Sequence, residues 1–132
     1  MICVKCQAVK IDSSLQKSSN IYVMTIYSQA HKLRFEWDAA KATANLQKHK
    51  LSFETAARVF ADPFALTVQD RIEGGEYRWQ TLGLVDGAVL LLVAHTLGES
   101  DDGCELIRII SARRADSKEK RRYENQTHTL RT

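Results

Sequence analysis

The spacing of apolar residues changes from helical to strand-like midway along the chain, and this switch restricts the fold more than any other feature. Between Asp38 and Pro63, the only proline, apolar residues recur at intervals of three and four. Downstream, Leu66–Arg71, Tyr77–Val85, Ala88–Thr96 and Glu105–Ala112 read as four successive strands. Gly74-Gly75, Asp86-Gly87 and Gly98–Gly103 separate them. Asp86-Gly87 between two apolar runs is a strong hairpin signal, because both central residues of a type I′ turn need a left-handed backbone. Consecutive hairpins predict a four-stranded antiparallel meander, and with the helical region this makes an α+β domain.

Two capping residues delimit the helical region. Asp38 can accept from the free amides of a first turn, and Ala39 to His49 has no Gly or Pro. Ala42, Leu46 and His49 or Lys50 are spaced to share one side of that helix. Ser52 can cap a second helix with a stripe of Phe53, Ala56, Ala57 and Phe60, which Asp62-Pro63 stops. The pair predicts a helical hairpin. Asp116 to about Gln126 reads as a charged closing helix anchored by Tyr123.

The 132 residues allow one core but not two ordinary domains, and the 44% hydrophobic content excludes a disordered chain. We divide the chain into an N-terminal extension (residues 1–32), a domain (33–126) and a tail (127–132). The extension has a polar run through Ser13, Ser14, Ser18, Ser19 and Asn20 and a β-prone run Ile21–Tyr27. It reads as disordered or as an over-extended start, with Met24 as an alternative beginning. Ala88–Ala94, the longest apolar stretch, is far below the ~20 residues of a membrane-spanning helix. The three cysteines, Cys3, Cys6 and Cys104, have no repeating spacing, which disfavours a disulfide scaffold. Cys3-x-x-Cys6 is half a zinc knuckle without a second half. No cofactor or metal is expected, and a reducing cytoplasm fits this composition.

The net charge of +3 is mild, but from Arg108 onward eight Arg or Lys residues face only Asp116, Glu119 and Glu124. That skew fits a polyanion or an acidic partner, and equally a solvated helix laced with opposite charges. Arg108 interrupts Ile107, Ile109 and Ile110, so its guanidinium must emerge where something polar covers it. Strict alternation puts Arg108 with Ile110 and Ala112, and Arg113 with Ile109 and Ser111, unless a bend intervenes. Arginine's planar fork suits phosphate; the competing reading is a structural pair with Glu36 or Glu105. Arg78 and Trp79 open the second strand on opposite faces, Trp79 reading as core. Lys48 and His49 end the first helix, where positive charge also complements the helix dipole. His95 could move protons near neutrality, although a lone strand histidine is usually structural.

The ordered string Phe35-Glu36-Trp37-Asp38, Lys41, Asn45, Lys48-His49, Ser52-Phe53-Glu54, Ala57, Val59-Phe60, Asp62-Pro63, Arg78, Gly83, Thr96 and Ile107 to Arg113 resembles the BrnT toxin family over about Phe35 to Tyr123. The resemblance implies a RelE/ParE-like fold and a metal-independent endoribonuclease of a type II toxin–antitoxin system, which arrests translation. It also implies a BrnA-like antitoxin, oligomerisation with that antitoxin, and contact with DNA only through the complex. It places catalysis on His49, Arg78, Arg108 and Arg113, with His49 moving the proton and the arginines stabilising the phosphoryl oxygens. RNA binding is assigned to Lys48, Arg114, Lys118 and Arg121, and Ser111 would orient a neighbour. The sequence departs from the family where Ala39 replaces a frequent Pro and where Leu97-Gly98 lacks a frequent Arg. That gap and the acidic loop Glu99–Asp102 keep two alternatives open, a non-catalytic basic module that docks an acidic partner and a degenerate toxin.

Overall fold

A computed structural model describes residues 10–11, 16–18, 21–27, 32–99 and 103–131. Its strands are β1 (Lys10–Ile11), β2 (Gln16–Ser18), β3 (Ile21–Tyr27), β4 (Lys32–Asp38), β5 (Leu66–Glu73), β6 (Glu76–Val85), β7 (Val89–Glu99) and β8 (Glu105–Arg114). Helices α1 (Ala39–His49), α2 (Phe53–Ala57) and α3 (Ser117–Arg131) accompany them, with a 3₁₀ turn at Arg58–Ala61. The strands form one sheet in the order β1-β3-β4-β8-β7-β6-β5, with β2 on β3.

The antiparallel meander β5-β6-β7-β8 is present, and its central turn has the predicted chemistry: Asp86 and Gly87 have φ of 55° and 69°. A fifth strand was not anticipated. Phe35-Glu36-Trp37, read only as a lead into a helix, lies within β4 and pairs in parallel with β8, so the five-stranded core is mixed. The pairing joins segments about seventy residues apart, so no local pattern announces it, while Phe35 and Trp37 are 0% and 1% exposed. The segment 21–27, assigned to the extension, forms β3 along the other edge of β4. The backbone of 127–131, assigned to the tail, continues α3. Cys3 and Cys6 lie outside the described residues.

The helical hairpin also needs correction. The caps form as expected, Asp38 accepting from Lys41 N–H and Ser52 from Thr55 N–H, but α2 lasts five residues before tightening into the 3₁₀ turn. Both helices pack chiefly on the sheet. In α1 the side turned inward carries Ala42 and Asn45, while Leu46 is 49% exposed. Asn45 takes the inward place because β8 has no strand partner on the β4 side beyond Arg108. Its Oδ1 accepts from Ala112 N–H at 3.0 Å and its Nδ2 donates to Leu51 O at 3.1 Å, satisfying two buried backbone groups.

The sheet has two unequal faces. The first, covered by α1, α2 and the 3₁₀ turn, buries Phe35, Trp37, Phe53, Leu91, Val93, Ile107 and Ile109. Trp37 meets Phe53 edge-on at 6.0 Å, and Phe60 lies 5.3 Å from Phe35. Each large side chain buried here contributes about 1.5–3 kcal/mol of transfer free energy. Gly83 lets the 3₁₀ turn approach β6, since a Cβ there would stand 2.6 Å from Val59 Cγ1 and 2.9 Å from Val59 O. Among the described residues the second face is covered only in part: Tyr123 of α3 packs on Leu82 and Leu92, as its anchoring role required. Tyr123 also donates to the Asp62 carboxylate, which accepts from Leu84 N–H and Phe64 N–H.

Candidate functional site

Strand alternation puts Arg34 and Glu36 of β4 on the partly covered face, since Leu33, Phe35 and Trp37 between them are buried on the other. Arg108 lies opposite Glu36 in the parallel register and opposite Thr96 in the antiparallel one. The β6–β7 ladder ends with Trp79 opposite His95, and extending that register by one residue sets Arg78 opposite Thr96. Arg78, Thr96, Arg108 and Glu36 therefore form one cross-strand row. Neighbouring strands are about 4.8 Å apart, which puts the Arg78 and Arg108 backbones about 10 Å from each other and Glu36 about 5 Å beyond.

The row carries two cations that differ in how far they are engaged. The Arg108 side chain is exposed and makes no hydrogen bond or ion pair with another described residue. The Arg78 side chain is 21% exposed; its buried Nε has no hydrogen-bond partner, and its nearest carboxylate oxygen, of Glu73, is 3.8 Å away. The guanidinium of Arg108, exposed and unpaired among the described residues, is the donor suited to an anionic acceptor that arrives from solution. Trp79, expected in the core, is half-buried and belongs to neither apolar cluster.

A bulge decides where Arg113 points. The β7–β8 register pairs His95 with Ile109 but Ala94 with Ser111, so Ile110 is an extra residue in β8. The bulge reverses the alternation: Ala112 joins Ile107 and Ile109 in the core, and Arg113 moves to the face of Arg108. This is the bend that strict alternation had left open. Arg113 is nonetheless occupied. It donates from both terminal nitrogens to Glu119 at 2.8 Å each, which holds its pKa above the ordinary arginine value and the Glu119 carboxyl below the ordinary carboxylate value. Glu119 also accepts from Asp116 N–H while Asp116 accepts from Glu119 N–H, a reciprocal cap on α3. Arg113 thus fastens the end of β8 to the start of α3.

The other sequence-predicted residues are not on the row. Lys48 and His49 occupy the last turn of α1, exposed and half-buried respectively, without a hydrogen bond to any of the four row residues. Arg114 borders a hollow of about 450 Å³ with Lys120, Tyr123 and Glu124. Lys118 and Arg121 are exposed, and helical spacing turns them away from Tyr123 and the sheet. Ser111 is exposed beside the bulge. Thr96 and Glu36 were not assigned to the site from sequence; the available signal for Glu36 was its place between two apolar aromatics in a strand-compatible alternation.

His95 is fully buried against Phe60, ring centroids 5.0 Å apart. Thr96 O, 3.3 Å from Nδ1, can only accept, so Nδ1 carries the proton and Nε2 accepts from Thr81 Oγ1 at 2.7 Å. Thr81 in turn has Thr67 Oγ1 at 2.8 Å. Burial lowers the His95 pKa to about 4, outweighing the hydrogen bond to Thr96 O, so the ring is neutral near pH 7 and serves the core. Among the described residues no cluster of three or more His, Cys, Asp or Glu side chains could hold a metal ion, and no helix is long and apolar enough to cross a membrane.

Comparison with known proteins places the chain in a family. No curated protein matches the chain significantly. A crystal structure of the Brucella abortus ribonuclease toxin BrnT is similar over 61% of this chain and 94% of its own, at 23% identity and a TM-score of 0.47. The family model described as ribonuclease toxin, BrnT, of type II toxin–antitoxin system matches residues 37–119, more than half of the chain. The chain therefore belongs to the BrnT family of ribonuclease toxins of type II toxin–antitoxin systems.

Proposed function

We propose that this chain cleaves RNA in a metal-independent reaction on the partly covered face of its sheet, arrests translation by doing so, and is neutralised by a BrnA-like antitoxin. The observation that carries the reading is the register that sets the Arg78 and Arg108 backbones on either side of the buried Thr96, with neither arginine hydrogen-bonded to a described carboxylate. Arginines about 10 Å apart can hold one phosphate between them or contact successive phosphates of a single strand. The ribose 2′-hydroxyl attacks the adjacent phosphorus, and the arginines stabilise the charge that gathers on the phosphoryl oxygens. Arg113 supports this face indirectly, by fixing α3 through Glu119.

Inducing the chain in a bacterium tests the reading, with growth and total RNA followed in parallel. Arrest with cleaved RNA, rescued by co-expression of the adjacent antitoxin gene, is the expected outcome. Arg108→Ala and Arg78→Ala should abolish both effects while leaving the fold intact. Soluble, folded parent protein that leaves growth and RNA unchanged refutes it.

A further inference from the structure

We infer that Glu36 is the catalytic residue that takes the proton from the attacking 2′-hydroxyl, an assignment that rests on the ribonuclease reading and adds the base to it. Leu33, Phe35 and Trp37 point into the core, so the intervening Glu36 projects onto the opposite face, half-buried and beside Arg108 in the parallel register. Arg108 sits between Thr96 and Glu36, so its backbone lies one strand spacing, about 5 Å, from that of Glu36, and the two side chains rise from the same face toward a phosphate held by the guanidinium. The attacking 2′-oxygen is carried on the sugar next to that phosphate and falls within reach of the Glu36 side chain.

Glu36 is free for this task, having no hydrogen bond or ion pair with another described residue. The remaining carboxylates near this face are engaged or distant. Asp38 caps α1, Glu119 holds Arg113, and Glu73 lies at the β5–β6 hairpin near Arg71 and Arg78. His95 is buried with both ring nitrogens in use. In the step, Glu36 Oε accepts the 2′-hydroxyl proton as the 2′-oxygen forms its bond to phosphorus. The bond from phosphorus to the 5′-oxygen breaks, and that oxygen takes a proton from water. The products are a 2′,3′-cyclic phosphate and a free 5′-hydroxyl, and Glu36 returns its proton to solvent.

Removing a general base lowers a rate by about 10²–10⁴-fold. The test compares the full chain with Glu36→Gln, which keeps the shape and removes the charge. Three quantities are measured: cleavage of bacterial total RNA, affinity for a 2′-O-methylated single-stranded oligonucleotide, and the melting temperature. The expected result is at least 100-fold slower cleavage with unchanged melting and equal or tighter binding, since a negative charge beside Arg108 is gone. Cleavage within about threefold of the parent, as when His49→Ala alone abolishes it, overturns the assignment. A parent that binds the oligonucleotide but cleaves nothing overturns the assignment together with the ribonuclease reading, and is recognised before any substitution is made. If Glu36→Gln unfolds, Glu36→Ala is supplied with formate. A rate that rises with formate concentration supports the proton-acceptor role, and a rate that does not respond overturns it.

Discussion

Acid should weaken this fold through His95. The native pKa is lowered to about 4 from an ordinary 6.5, so in acid the unfolded chain binds a proton that the native chain refuses. The stabilising contribution is fully present above pH 6.5 and is lost as pH falls toward 4. Each pH unit inside that window removes up to about 1.4 kcal/mol, so going from pH 7 to pH 5 costs about 2 kcal/mol in this one group. For an m-value of about 1–2 kcal/mol per molar urea, the unfolding midpoint should fall by about 1 M or more. Urea unfolding at pH 7, 6 and 5 measures this, with His95→Gln as the non-titrating comparison. Its own stability is lower, but its midpoint should be nearly flat over the interval. A proton NMR titration of the parent supplies a direct check, with the His95 ring signals static down to pH 5. Equal slopes for parent and variant, or a His95 signal that titrates near pH 6.5, would refute the reasoning.

Four further outcomes follow from individual contacts. Asn45→Ala strands the buried Ala112 N–H and Leu51 C=O, and at about 1–3 kcal/mol per lost partner it should lower stability by about 2–6 kcal/mol in denaturant titration. Gly83→Ala drives a methyl group against Val59 and should cost about 1–3 kcal/mol; an unchanged melting temperature would contradict the close approach of the 3₁₀ turn. Arg113→Ala should reduce stability by about 1 kcal/mol, because a side chain 40% exposed is partly screened, and should shift melting more than Arg108→Ala does. Arg108→Ala, which removes no hydrogen bond to another described residue, should leave melting unchanged while weakening RNA binding and flattening its salt dependence.

The local elements were legible because their causes are local. Asp38 and Ser52 each satisfy an amide three residues ahead, and Asp86-Gly87 adopts the positive φ values its turn requires. The ordered residues from Phe35 to Arg113 also carried the family, which the match over residues 37–119 bears out. Arg78 and Arg108 could be singled out as cations within strands, but nothing local indicated that they share a row with Thr96.

Tertiary structure decided the rest, for reasons of distance along the chain and of register. Parallel pairing of β4 with β8 depends on an edge created about seventy residues later, and it alone brings Glu36 beside Arg108. One extra residue, Ile110, turns Arg113 from one face to the other, because a period of two reverses with every single-residue insertion. Whether a cation then stays free depends on what is packed above it. The cap of α3 claims Arg113, while over Arg108 no described side chain does so. The sequence by itself determined the caps, the turns, the strand periods and the family; the three-dimensional pairing determined which charged groups meet and which remain available to a substrate.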